Sequence, residues 1–190
     1  MKDFQFEIAD ISLAEKGLER LEWVRERMPI LRHLKEQLSV EKPFENLHIG
    51  ICLHVEAKTG IWLETLTAGG AKISITGSPG TTQDEVAAAL VKEYGVSVFA
   101  RRDETFAEHL CYAEKVLEGE PDLIADNGAD LHFLIHQNPK FTYLKTKLIG
   151  ATEETTSGGF RLREELKEQA FPTIVINDSV SPTVATASAP

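Results

Sequence analysis

The thirteen glycines of this chain include no Gly-x-Gly pair. These 190 residues therefore carry neither a dinucleotide fingerprint nor a Walker-type phosphate loop. Basic residues are in deficit: 20 Lys and Arg stand against 30 Asp and Glu, a formal net charge of −10. That balance excludes nonspecific binding to nucleic acid or to an anionic membrane, since both require a basic face. No apolar run approaches the ~20 residues of a membrane span. The opening Met-Lys-Asp-Phe-Gln-Phe-Glu is too acidic for a signal peptide. Two cysteines, Cys52 and Cys111, are too few for a disulfide framework, and a cytoplasmic setting is expected. Both lie in apolar contexts and read as small buried hydrophobes.

What is present is an ordinary globular profile, 42% hydrophobic and 26% charged. Ser12-Leu-Ala-Glu15 has the pattern of a capping box. Leu13, Leu18, Leu21 and Val24 follow at roughly helical spacing, and Met28-Pro29 breaks the run. Ile30, Leu31, Leu34 and Leu38 give a second helix an apolar stripe, so a helical hairpin is expected at about 12–41. Beyond Pro43, short apolar runs alternate with amphipathic stretches. Strands are expected at 47–53, 73–76, 96–100, 123–125, 148–151 and 173–176. Helices are expected at 57–68, 82–94, 104–118, 130–137 and 158–168. Such alternation implies an α/β fold, a doubly wound and mostly parallel sheet of about six strands, Rossmann-like in three layers. The domain reading is a helical hairpin over 1–45, an α/β domain over 46–180 and a disordered tail over 181–190, where charge and aromatic anchors are absent. Trp23 and Trp62 fall on helical stripes and read as core.

Open parallel sheets bind ligands at the carboxyl ends of their strands. Those ends carry His54, Glu56, Lys58 and Thr59; Thr76-Gly77-Ser78; Asp126-Asn127-Gly128; Thr152-Glu153-Glu154-Thr155-Thr156; and Asn177-Asp178. Much of this is the polarity of any strand-to-helix loop, and Thr, Ser and Asp cap helices. His54 resists that account, because an ionisable ring closes an otherwise apolar strand. His132 and His136 stand at metal-ligand spacing, but residue 133 is Phe rather than the Glu of a zinc protease. One packed and one capping histidine is the simpler reading, and no metal is expected.

Six ordered motifs resemble one family. They are Gly50-Ile-Cys-Leu-His54-Val-Glu-Ala-Lys-Thr59, Leu63-Glu-Thr-Leu, Thr82-Gln-Asp-Glu, Asp126-Asn-Gly-Ala-Asp130-Leu, Glu153-Glu-Thr-Thr156 and Asn177-Asp-Ser-Val180. Together they are similar to the substrate domain of adenosylhomocysteinase, collinearly from about residue 9 to 180. The Glu56-Ala-Lys58-Thr59 stretch is like that of thermophile-type members. The resemblance implies NAD-dependent cleavage of S-adenosylhomocysteine to adenosine and homocysteine, with NAD held by a further domain. It implies that His54 moves protons at the 5′ position and that Glu154 grips the ribose diol. Thr155, Thr156 and Ser157 would reach the nicotinamide end of NAD. Glu56, Lys58 and Thr59 would face the base, and Asn127 would lie in both the catalytic and the substrate-binding set. It also implies an oligomer, homo- or hetero-.

Two departures shape the expectation. The family has two aspartates after the fourth strand, the second catalytic, and here that second position is Asn127. The family also has a lysine shortly after Asn-Asp-Ser-Val, and here Pro182 stands in its place. The expected molecule is therefore a shortened substrate domain that binds nucleoside, holds no NAD tightly by itself and does not turn over alone. Lys58, with three donors and no acceptor, suits a 6-oxo purine, so inosine-type nucleosides are expected to bind as well as adenosine. The alternative is a noncatalytic nucleoside-binding or regulatory paralogue that assembles with a full-length member.

Overall fold

A computed structural model describes residues 5–166 and 168–179. The 181–190 tail and Pro182 lie outside the described residues. The chain divides into two compact units that meet in sequence at Pro121 and Asp122.

The first unit opens with a short strap. Glu7 N–H donates to the Val98 carbonyl at 2.8 Å, and Ala100 N–H returns to the Glu7 carbonyl at 3.1 Å. The Glu7 carboxylate accepts from Tyr112 Oη at 3.1 Å and pairs with Lys115. Those two partners hold its pKa below the ordinary carboxylate value. Helices α1 (Ala14–Arg25) and α2 (Pro29–Glu41) fall where the hairpin is expected, but each packs on later helices rather than on the other. Pro29 sits in the first turn of α2, where its missing N–H costs nothing. Three parallel strands follow in the order β3-β2-β1: β1 (His48–Cys52), β2 (Lys72–Thr76) and β3 (Ser97–Phe99). Between and after them run α3 (Ala57–Ala68), α4 (Asp84–Tyr94) and α5 (Phe106–Glu118). All five residues of β1 are buried, as a strand covered on both faces requires.

Helix α1 packs on α4 and α3. Gly17 allows the approach to α4, since a Cβ there would overlap the Glu85 carbonyl. Buried Glu64 on α3 gathers charges from both N-terminal helices: it accepts from Arg25 Nε at 3.1 Å and pairs with Lys35. Arg25 also reaches Tyr94 Oη at 3.0 Å, so one ion cluster ties α1, α2, α3 and α4. The buried ring of His48 bridges Gly119 O at 2.9 Å and Ser74 Oγ at 2.8 Å.

The second unit holds three parallel strands in the order β4-β5-β6: β4 (Leu123–Asp126), β5 (Gly150–Glu153) and β6 (Thr173–Val175). Its helices are α6 (Asp130–Gln137), the short α7 (Leu144–Lys147) and α8 (Thr156–Arg161), which continues as a π-helical turn at Leu162–Leu166. The α/β class and the six strands thus agree with expectation, and every described strand pairing is parallel. Among the described residues no helix is long and apolar enough to cross a membrane.

Several local expectations are corrected. The Ser12–Glu15 capping box does not form: Asp10 Oδ1 takes the Ser12 N–H at 2.8 Å and caps a 3-10 turn at Ile11–Leu13 instead. Trp23 is 60% exposed, with the Arg27 guanidinium stacked 3.9 Å from its ring centroid, so it is not core; Trp62 is half-buried. Cys111 is exposed on α5, whereas Cys52 is buried as expected. The α2 stripe is only partly used, since Ile30 is 75% exposed. The helix expected at 158–168 begins two residues earlier, because Thr155 Oγ1 accepts from Gly158 N at 3.0 Å and caps it.

Candidate functional site

The predicted residues fall into two groups, one in each unit. In the first unit, His54, Glu56, Lys58 and Thr59 occupy the turn from β1 into α3. Backbone bonds fix this turn. Leu53 N–H donates to Thr76 O at 3.1 Å, Glu56 N–H to His54 O at 3.0 Å, and Gln83 N–H to Val55 O at 2.8 Å. Val55 is fully buried and anchors the turn, while the His54 and Lys58 side chains are exposed and Glu56 is half-buried. Thr59 is buried in the first turn of α3. Among the described residues, Lys58 pairs with no carboxylate and nothing engages the His54 ring, so both keep their full bonding capacity for a ligand. Because the backbone holds the turn, it demands nothing of these side chains.

Thr76, Thr82 and Gln83 each bury a side-chain oxygen that has no partner among the described residues. Gly77 is needed there, for a Cβ would crowd Thr82 Oγ1.

In the second unit, Asn127 follows β4, and Glu154, Thr155, Thr156 and Ser157 follow β5. Asp126 and Glu153 are register partners, so Asn127 and Glu154 leave neighbouring strand ends side by side. Glu154 N–H also donates to Asp126 O at 3.0 Å. Two fully buried carboxylates shape these loops. Asp126 Oδ1 accepts from Asn127 N at 3.0 Å, and its Oδ2 accepts from His132 N at 3.0 Å and from His132 Nδ1 at 2.8 Å. Glu153 Oε1 accepts from Gly128 N at 3.0 Å, Thr155 N at 2.8 Å and Thr155 Oγ1 at 2.7 Å; Oε2 accepts from Ala129 N at 2.9 Å. Charge-assisted bonds of this kind are the strong ones, and here they hold Gly128 and Ala129 at positive φ. Arg161 closes the loop from α8, bonding Gly128 O and Asp130 Oδ1 and stacking 4.3 Å from the Phe133 centroid. Glu154, Thr156 and Ser157 are exposed, and Asn127 and Thr155 are half-buried.

Asp126, His132 and Glu153 bring ligand-type atoms within 4.8 Å of one another. N–H donors already occupy these carboxylates, and a cation would have to displace them, so the cluster is a hydrogen-bonded frame. His132 is fully buried, bonded to Asp126 and, through Nε2, to Thr173 Oγ1 at 3.3 Å. His136 Nδ1 donates to His132 O at 2.8 Å, and its Nε2 accepts the Ala170 N–H at 3.2 Å. His132 is thus packed as expected, whereas His136 caps no helix end: it bonds a carbonyl inside α6 and the Ala170 N–H. The framing roles of Asp126, Glu153, Gly158 and Arg161 were not evident from sequence. For Asp126 and Glu153 the one signal was a carboxylate closing β4 and β5.

Residues 5–142 match the family model described as S-adenosyl-L-homocysteine hydrolase. The chain belongs to the S-adenosyl-L-homocysteine hydrolase family. It is 46% identical over 182 residues to the S-inosyl-L-homocysteine hydrolase of Methanopyrus kandleri, an alignment covering 94% of this chain and 42% of that protein. Identity to the protein of the same name from Methanococcus maripaludis is 49% over 175 residues, covering 90% and 41%. Identity to the adenosylhomocysteinase of Aquifex aeolicus is 43% over 178 residues, covering 92% and 42%. The chain spans about two-fifths of the length of these hydrolases.

Proposed function

We propose that this chain is the substrate-binding portion of an NAD-dependent hydrolase that splits S-inosyl- or S-adenosyl-L-homocysteine into nucleoside and homocysteine. The similarity to hydrolases of both names over nine-tenths of the chain supports this most. In this reading His54 moves the proton at the 5′ position, where an imidazole exchanges protons near neutral pH. Glu154 accepts from the two ribose hydroxyls, a task suited to two acceptor oxygens. Asn127 hydrogen-bonds the sugar without exchanging a proton. Glu56, Lys58 and Thr59 face the base. The exposed, carboxylate-free Lys58 favours a 6-oxo purine, so the inosine form is the preferred substrate class. A cytoplasmic setting suits a chain with two cysteines and no disulfide among the described residues, and assembly into oligomers is part of the same reading.

Bound NAD supplies the reversible oxidation of the ribose 3′-hydroxyl. The residues here fit only its nicotinamide end. The Thr155 hydroxyl is committed to Glu153 and Gly158, and Ser157 Oγ donates to it at 3.3 Å, which leaves the exposed Thr156 hydroxyl and the acceptor side of Ser157 to meet a carboxamide. These 190 residues offer no glycine-rich cradle for a pyrophosphate. Residues 1–190 are accordingly expected to release no thiol from either substrate, even with NAD added. Calorimetric titration with inosine and adenosine tests the base assignment. The wild type is expected to bind inosine at least as tightly. Lys58→Glu is expected to shift preference toward adenosine by about tenfold, the effect of one mismatched polar contact of ~1–3 kcal/mol. Equal margins in both proteins would show that Lys58 does not read the base.

A further inference from the structure

We infer that Asn127-Gly128 is a self-modification site, at which the Gly128 nitrogen closes on the Asn127 side chain and converts that asparagine to aspartate with help from Glu153. The chain has four asparagines, Asn46, Asn127, Asn138 and Asn177, and only Asn127 precedes a glycine. A nitrogen flanked by a residue without Cβ meets the least hindrance when it approaches a neighbouring carbonyl. Gly128 has φ +93°, and nothing beyond its chain neighbours lies within 4 Å of where a Cβ would be. Its N–H points at Glu153 Oε1, 3.0 Å away. That carboxylate also accepts from Ala129 N, Thr155 N and Thr155 Oγ1.

The electronic structure of a peptide permits ring closure. The N–H of a peptide lies in the amide plane, while the nitrogen π electrons stand perpendicular to it. Glu153 can therefore take the proton in the plane while the nitrogen attacks out of it. The Gly128 nitrogen forms a bond to Asn127 Cγ. Its proton passes to Glu153 and on to the departing amide nitrogen, the Cγ–Nδ2 bond breaks, and ammonia leaves. A five-membered imide remains. Water then adds to one imide carbonyl. Breaking the new N–Cγ bond gives aspartate, and breaking the original main-chain bond gives the isoaspartyl isomer. The net reaction is asparagine plus water giving aspartate plus ammonia, with no change in oxidation state. Asn127 and Gly128 are only half-buried, so water can enter and ammonia can leave.

The consequence, though not the modification itself, rests on the proposed function: an amide that exchanges no proton becomes a carboxyl group that does. The chain is incubated in heavy-oxygen water at neutral pH, then digested and weighed peptide by peptide. Heavy oxygen is expected at position 127 at least about tenfold faster than at Asn46 or Asn177, a ratio within reach of one positioned base. Glu153→Gln is expected to slow labelling by about tenfold. Position 127 labelling no faster than Asn177, or an unchanged rate in a folded Glu153→Gln protein, would overturn the inference. Should that variant melt early, wild type in urea replaces it: loss of the Glu153 contact is expected to slow labelling, and faster labelling on unfolding would count against it. The readout is chemical and independent of nucleoside binding, so it fails or succeeds separately from the hydrolase reading.

Discussion

The two units solve the same problem in different ways. Each must hold a loop at the end of a parallel strand in one shape. After β1 the main chain does this, with Leu53 and Gln83 N–H groups bonded to neighbouring carbonyls and the side chains of His54 and Lys58 left unused. After β4 and β5 the task falls to Asp126 and Glu153, which between them accept seven hydrogen bonds. A turn held by its backbone tolerates side-chain change. A loop held by buried carboxylates is stable only while every donor stays in place, because each displaced group leaves an unsatisfied partner in the interior.

Two glycine substitutions sharpen this contrast. Gly17→Ala drives a Cβ into the Glu85 carbonyl and against Ala89, in a helix contact where backbone must move. A loss of about 3 kcal/mol is expected, at the upper end of overpacking costs. For a chain of this size it is a fall of roughly 10 °C in Tm. Gly158→Ala drives a Cβ into the Glu153 carboxylate instead. The end of a side chain can shift, so the expected cost is smaller, about 2 kcal/mol, but each of its four bonds is strained as it does. Thermal melts check the order. Nucleoside titration separates the two further, since Gly158→Ala is expected to weaken binding through the Asn127 and Glu154 loops. Gly17→Ala, measured well below its melt, is expected to leave binding alone. Equal binding losses would mean that the carboxylate frame does not position the loops.

The pattern of elements was legible because it rests on local physics. Strands buried on both faces read as apolar runs, and Gly95 at φ +63° ends α4 where a stop was expected. Capping was less legible. Ser12-x-x-Glu15 and Thr105-x-x-Glu108 share one pattern, yet only the second forms a box, with Glu108 Oε2 accepting from Thr105 N at 2.8 Å. Asp10 takes the Ser12 N–H that Glu15 would accept in a box, a contest that spacing alone does not decide. Trp23 is exposed despite its place on a helical stripe, because a stripe gives direction without saying whether anything covers it. At the site, the positions of His54 and Glu154 at strand ends followed from the fold class. That Glu153 turns inward and Glu154 outward depends on Gly158 leaving room for a carboxylate, which no spacing rule contains.

Acid offers the finest test of the comparison, because one titrating group in each unit responds to it in opposite directions. In the first unit Glu104 is buried with its Oε2 accepting from Arg101 N at 2.8 Å. Burial raises its pKa above the ordinary 4.5 despite the opposing influence of that bond and of His109, 3.8 Å away. The folded form thus binds this proton more readily than the unfolded chain, so stability from this group rises as pH falls through the raised value. In the second unit burial lowers the pKa of His136 below 6.5, helped by Lys145 and His132 and opposed by its bond to His132 O. Here the unfolded chain binds the proton more readily, so stability present above 6.5 is lost as pH falls toward the lowered value. Protonation also removes the Nε2 lone pair that accepts the Ala170 N–H. Hydrogen exchange of two amides reads both effects in one sample. Between neutral and mildly acid pH, protection of the Arg101 amide, corrected for intrinsic rate, is expected to hold or rise. Protection of the Ala170 amide is expected to fall a few-fold, and His136→Gln is expected to abolish that fall. If both amides lost protection together in wild type and variant alike, the acid response would be a global opening, and the separate anchoring of the two units would be wrong.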